Sequence, residues 1–540
     1  MRALVLAGAA ALLLARLGAT GFWAPDEPRY GAVAEELRSG AAGAAGRVLL
    51  HLDGEPYTQK PPLYFWLAAA AGTPLGRVTE TAARLPSALA GIALVALTLT
   101  LGSRLLGGAT GTLGAALLLT TWSFCDAARR VQLDVLLALL ETLALAAFWR
   151  LDRGIGGRRA NQLALHAALG LAVLTKGPVG FLVPLLAMAG FLAWDGRSRA
   201  LGRALPVWGF ALSLGPGLAW IAAAVALAPP GFFGEAVVEN LFGRFFAGTS
   251  HPRPFYYYLY QFPVQFLPWI AAAPVVVWAA RRQLFGAPGD SDGEARRAWR
   301  FLLAWLGATL VFFTLSSGKR GLYVLPALPA AALLTADALR RWIESRRRIP
   351  AAFHVVSGAF AAAVLAAAGW LLLRDPLRDR VASLATGGLA IGIVLAALGA
   401  SVALARMRAP LRLQIGVPVA ALWALQGVLF TVALPARDPE KSPRALAEAA
   451  AAWTPAGASI GLVGDRALVG GLVYYGGRHV AYLGDRAHIE RFVREGGAAL
   501  VVAEKKRARV EEVTPIEVRF RAREGRRALL VVTPKRNRGG

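Results

Sequence analysis

Apolar positions in this chain come in long unbroken blocks separated by short polar stretches, with none of the alternation that marks a soluble amphipathic helix or strand. Runs of roughly 17 to 25 residues can cross about 30 Å of hydrocarbon as helices. Such runs are predicted near residues 3–19, 84–105, 109–124, 132–149, 160–174, 178–194, 205–228, 262–280, 301–315, 321–339, 351–373, 383–405 and 413–434. The expected fold class is therefore mainly α, a polytopic membrane protein of about 13 transmembrane helices. Residues 1–19 have the apolar character of a secretory signal, but no convincing cleavage site follows, so they are read as a retained first helix.

The pattern changes near Pro435. Short β-like runs at 459–463, 480–483, 499–502, 516–521 and 529–532 alternate with helical stretches at 443–453 and 485–494. A small α/β domain over 435–540 is expected to follow a membrane domain over 1–434. Its turn Gly461-Leu462-Val463-Gly464-Asp465 lacks the full glycine fingerprint of a dinucleotide site.

Composition sharpens this picture. Hydrophobic residues make up 56% and charged residues 17% of 540, with a mean hydropathy of +0.49. A formal charge of +26 in a soluble chain would suggest nucleic acid. Here the arginines fall in clusters between alternate apolar runs: Arg150, Arg153, Arg158 and Arg159; Arg197, Arg199 and Arg203; Arg281, Arg282, Arg296, Arg297 and Arg300; Arg340, Arg341 and Arg346 to Arg348; Arg406, Arg408 and Arg412. That is the signature of cytoplasmic loops, so no nucleic-acid partner is expected. The single cysteine, Cys125, excludes a disulfide framework and a cysteine-rich metal site.

Counting spans from those loops places the unusual polar residues on the other face. The first such loop, about 20–83, holds Asp26-Glu27-Pro28-Arg29-Tyr30 and, further on, Tyr57-Thr58-Gln59-Lys60. Asp26 and Glu27 suit the orienting or deprotonation of an attacking group. Alternatively they cap a helix running from Arg29 to Leu37. Arg29, Lys60, Lys176, Arg244, Lys319 and Arg320 supply cations on the same face, fit for a phosphate or for lipid headgroups. Lys176, at a Gly-Pro turn beside hydrocarbon, is costly there unless it serves a function. Tyr57, Tyr323 and the tyrosines from 256 to 258 either bind phosphate oxygens or form an interfacial belt. Asp134, at the start of a span, is a cap or a second substrate carboxylate. His251, one of six histidines, is a weak candidate metal ligand.

Several of these motifs occur together in one order: Asp26-Glu27-Pro28-Arg29-Tyr30, Lys60-Pro61-Pro62-Leu63 with Trp66, Arg84-Leu85-Pro86, Leu174-Thr175-Lys176-Gly177, Glu239 with Arg244-Phe245, His251 with Pro254-Phe255, Tyr257-Tyr258, and Ser317-Gly318-Lys319 with Tyr323-Leu325-Pro326. In that order they resemble the bacterial aminoarabinose transferase family, within the protein O-mannosyltransferase-like glycosyltransferases of GT-C fold. The resemblance implies an inverting transferase of the bacterial inner membrane, with its active site and C-terminal domain on the periplasmic side. Its donor would be an undecaprenyl-phosphate-linked sugar, 4-amino-4-deoxy-L-arabinose in the best known members, and its acceptor a lipid A phosphate of lipopolysaccharide or another envelope acceptor. Asp26 matches the family's key acidic residue and Asp134 a second one. Arg29, Tyr30, Lys60 and Tyr323 would surround the carrier phosphate, with Lys319 helping to stabilise it as it leaves. Gln59 stands where founding members carry a glutamate, which weakens a shared divalent-metal site with His251. A different sugar with a hydroxyl acceptor, or a flippase of lipid-linked sugars, is the alternative.

Overall fold

The computed structural model describes residues 1–235, 238–239, 252–285, 293–345, 392, 411–524 and 527–535. The expected spans 351–373 and, apart from residue 392, 383–405, the arginines at 346–348, 406 and 408, and the candidates Arg244 and His251 lie outside the described residues. Among the described residues, five helices are long and apolar enough to cross a membrane, or up to seven if each of two sharply bent pairs is one span.

The apolar blocks become helices, but the breaks fall where the backbone demands them. The first block is α1, Arg2–Leu14. The polar first loop then folds into α2, Asp26–Ser39, a hairpin of β1 (His51–Leu52) with β2 (Glu55–Pro56), and α3, Leu63–Gly72. Helix α4, Glu80–Leu106, starts earlier than its apolar run because the Thr79 hydroxyl caps it by accepting from the Ala82 amide. The 109–124 block splits into α5, Gly108–Leu119, and α6, Trp122–Ala128. Helices α7, Leu133–Asp152, and α8, Arg158–Lys176, form an antiparallel pair. The chain continues through α9, Val179–Trp194, α10, Leu201–Ala204, and α11, Val207–Leu227.

The block expected at 262–280 is two helices, α12 (Tyr257–Gln265) and α13 (Ala273–Phe285), with Pro268 near the break. Helix α14, Gly293–Leu315, is followed by a 3₁₀ segment, Gly321–Ala327, and then α15, Leu328–Glu344. Helix α16, Leu411–Val428, is the last long apolar one. One continuous core of aliphatic and aromatic side chains joins α1 through α15.

Residues 435–535 build a five-stranded sheet with helices packed on it. In order across the sheet the strands are β4 (Val480–Tyr482), β3 (Ile460–Val463), β5 (Leu500–Ala503), β7 (Arg527–Pro534) and β6 (Ile516–Glu524). Strand β3 runs parallel to β4 and β5, while β7 is antiparallel to β5 and β6. Helices α17, Arg444–Ala452, α18, Val469–Gly476, and α19, Arg486–Arg494, complete this unit. Helix α18 packs against α2, so the sheet unit sits directly on the polar first loop.

Candidate active site

Helix α2 carries the first acidic pair, but neither side chain caps it. Pro25 occupies the cap position without a side-chain bond, and Gly40 ends the helix in the left-handed conformation. Asp26 turns its carboxylate toward cations instead: Oδ1 accepts from Arg29 Nη2, and Oδ2 accepts from Arg320 Nη2 at 2.8 Å. Burial alone would raise the Asp26 pKa, yet Arg320 and Arg29, with Lys60 behind them, outweigh it and hold the carboxyl below its usual range.

Around this pair lies an aromatic wall. Tyr30 and Tyr57 each meet Phe65 edge-on, with centroids 5.6 and 5.8 Å apart. Burial, and then the neighbouring Tyr57 and Asp26, push the Tyr30 phenol up, so it stays a hydrogen-bond donor. Arg29 lies over the Tyr30 ring at 5.3 Å, and its Nε is buried without a hydrogen-bond partner among the described residues. Tyr258 fixes the other arginine by donating to the Arg320 carbonyl at 2.9 Å.

A second ion pair joins the ends of α7 and α8. Lys176, the last residue of α8, bonds Asp134 in the first turn of α7, and its ammonium lies 4.2 Å from the centre of the Tyr323 ring. Tyr323 in turn lies within electrostatic range of Arg320. Charged side chains and one phenol follow one another through one region: Asp134, Lys176, Tyr323, Arg320, Asp26, Arg29 and Lys60. Two helical turns below Asp134, Glu141 is fully buried, and neither of its oxygens has a hydrogen-bond partner among the described residues.

Two expected site residues face elsewhere. Glu27 does not open onto this region: it is 4% exposed and saturated. Its oxygens accept from Arg84 Nε at 2.8 Å, Arg84 Nη2 at 3.0 Å, and the amides of Trp23 and Val131 at 3.0 Å each. Arg84 also donates to the carbonyls of Leu17, Thr20 and Gly21. Glu27 is thus a strut tying α2 to α4 and to the turn before α7. Lys319 is 3% exposed and gives its ammonium to the carbonyls of Ser316 and Arg253, so Arg320 takes the place expected for it.

The sheet unit contributes contacts that the motifs do not announce. The Tyr475 hydroxyl accepts from the Phe22 amide at 2.6 Å and donates to Glu80 at 2.9 Å. Trp23 Nε1 donates to Asp438 at 2.8 Å. A Cβ added at Gly470 would lie 2.4 Å from the Arg29 Cα, so only glycine lets α18 approach α2 this closely. The run Val469-Gly470-Gly471-Leu472-Val473-Tyr474-Tyr475-Gly476 is the signal that could have pointed here. Among the described residues no group of three side chains is placed to hold a metal ion.

Residues 59–222 match the family model described as dolichyl-phosphate-mannose-protein mannosyltransferase. A Pseudomonas aeruginosa protein named undecaprenyl phosphate-alpha-4-amino-4-deoxy-L-arabinose arabinosyl transferase is 29% identical over 431 residues, covering 76% of this chain and 71% of that protein. The crystal structure of ArnT from Cupriavidus metallidurans bound to undecaprenyl phosphate shares the fold, with a TM-score of 0.78 at 22% identity over 98% of this chain and 97% of that one. This chain is a glycosyltransferase similar to the aminoarabinose arabinosyl transferases. A more distant likeness, to the archaeal oligosaccharyltransferase AglB from Archaeoglobus fulgidus, has a TM-score of 0.51 at 12% identity, over 94% of this chain and 69% of that one. The transferase is a multi-pass membrane protein, and its cluster of charged side chains stands at the ends of its apolar helices.

Proposed function

We propose that this transferase moves a sugar, 4-amino-4-deoxy-L-arabinose, from an undecaprenyl phosphate carrier to a lipid A phosphate on the periplasmic face of the inner membrane. The observation that carries the reading is the Asp26–Arg320 pair, set beside Arg29, Lys60 and the Lys176–Asp134 pair. As the acceptor oxygen bonds to the anomeric carbon, the bond from that carbon to the carrier phosphate breaks, and its electron pair stays on the phosphate. Negative charge grows there, and Arg29, Arg320 and Lys60 stabilise it more in the transition state than in the ground state. The unpartnered Arg29 Nε costs roughly 1–3 kcal/mol while it stays unsatisfied, a penalty that an arriving phosphate oxygen would remove.

Asp26 is held ionised by two arginines, which makes it a weak proton acceptor. That supports an acceptor already anionic, such as a phosphate, and leaves Asp26 to orient the sugar or to balance positive charge at the anomeric carbon. Asp134 and Lys176 are assigned to the opposite rim of the same site. The assay is transfer by purified protein from the undecaprenyl-phosphate-linked aminopentose to lipid A, read as the mass increment on the product. Turnover with a hydroxyl acceptor and none with lipid A would move the reading to the alternative acceptor class.

A further inference from the structure

A cavity of about 420 Å³ lies at the far end of α7 and α8 from the charged cluster. Helix α7 carries Asp134, beside Lys176, in its first turn and reaches this cavity at Asp152, its 20 residues being about 30 Å of helix. Its walls include Arg158, Arg197 and Arg203, over a floor holding Phe148 and Leu151. Asp152 is the one carboxylate among its described lining residues, and it is already taken: it accepts from Arg197 at 2.8 Å and from Arg297 at 2.6 Å. Arg158 and Arg203 form no ion pair among the described residues.

The arginines therefore divide into two sets. Arg197, Arg297 and Arg300 hold the loops together through Asp152 and Asp195. Arg158 and Arg203 pair with no carboxylate among the described residues, yet line the same space. The cavity also receives the start of α8, whose cap residue Gly157 offers no side-chain acceptor, so the positive helix end adds to the arginines without carrying the site alone. Two unspent guanidiniums over an apolar floor suit an amphiphile with an anionic head. The exposed Ile155 and Leu163 beside the cavity provide an apolar approach for acyl chains.

We infer that this cavity binds the phosphate head of an anionic membrane lipid, on the side of the protein opposite the transfer site. The shared chemistry with a free phosphate is plain, and the test separates the two. Purified full-length protein is titrated with phosphatidic acid and with phosphatidylcholine, and bound lipid is counted by native mass spectrometry. Saturable binding of phosphatidic acid in preference to phosphatidylcholine is expected. The double variant Arg158→Ala/Arg203→Ala should weaken it about 10- to 30-fold, with an unchanged thermal transition, because neither residue forms an ion pair among the described residues. A control double variant, Arg104→Ala/Arg199→Ala, removes the same charge at the same end but outside the cavity, and should change binding less than about twofold. Equal losses in the two doubles would reduce the effect to surface charge and overturn the site. Displacement of the lipid by millimolar inorganic phosphate, or equal binding of phosphatidylcholine, would overturn the lipid assignment.

Discussion

Arg320 reaches Asp26 across 294 residues of sequence, its Nη2 donating to Oδ2 at 2.8 Å. This bond joins the first polar loop to the start of a late apolar helix, and it ranks the residues by function. Asp26→Asn and Arg320→Ala should each lower turnover at least about 100-fold, the scale for losing one group aimed at developing charge. Lys319→Ala removes a bond to backbone carbonyls, so it should lower stability by about 1–3 kcal/mol while costing less turnover per folded molecule than Arg320→Ala. Kinetics on folded, purified variants decide the order, and a larger turnover loss for Lys319→Ala would refute it.

Glu27 should act through stability. Its carboxylate is buried against Arg84, so Glu27→Ala strands a buried guanidinium at a cost of about 3–5 kcal/mol. Adding Arg84→Met should recover part of that loss, since an apolar chain of similar length needs no partner. A denaturation midpoint for Glu27→Ala equal to wild type would show that the strut carries no weight.

The same carboxylates set an acid limit. Asp26 and Glu27 both have folded pKa values below their ordinary 3.8 and 4.5. Their contribution to stability is therefore fully present above about pH 4.5, and it is lost as the pH falls through the folded values. Glu36 and Asp53 are raised by burial and act in the opposite sense, so the difference between wild type and variant isolates the effect. The stability gap between wild type and Asp26→Asn should stay constant from pH 8 to pH 5, then close on further acidification. A gap that widens in acid would reverse the assignment.

Much of this was legible in the chain, and the failures have physical causes. An uninterrupted apolar run such as 205–228 has one way to satisfy its backbone in lipid, and it forms α11 at nearly those limits. The 262–280 run looked equally continuous, but proline near its middle splits it into two helices bent by 106°. Helix α3 was missed because ten residues are too few to read as a span. Choosing between Lys319 and Arg320 needed the backbone: Arg320 is extended, so neighbouring side chains point to opposite sides and only one can face Asp26. Glu27 looked like a second catalytic acid because nothing in its local motif reveals Arg84, 57 residues on, as its partner.

The seat of α18 on α2 makes a last test, one that involves no charged group. A methyl at Gly470 would meet the Arg29 backbone at 2.4 Å, whereas one at Gly471 would meet the Pro443 ring at 2.6 Å. Both substitutions overpack and should cost about 1–3 kcal/mol. Only Gly470→Ala pushes directly on the residue that pairs with Asp26, and small displacements of reacting groups cost turnover steeply. Turnover by Gly470→Ala should fall about 10- to 100-fold, while Gly471→Ala should keep near-normal turnover when measured on folded protein. If the two variants lose activity equally, the sheet unit merely stabilises the enzyme; if Gly470→Ala alone loses it, the unit sets the position of Arg29.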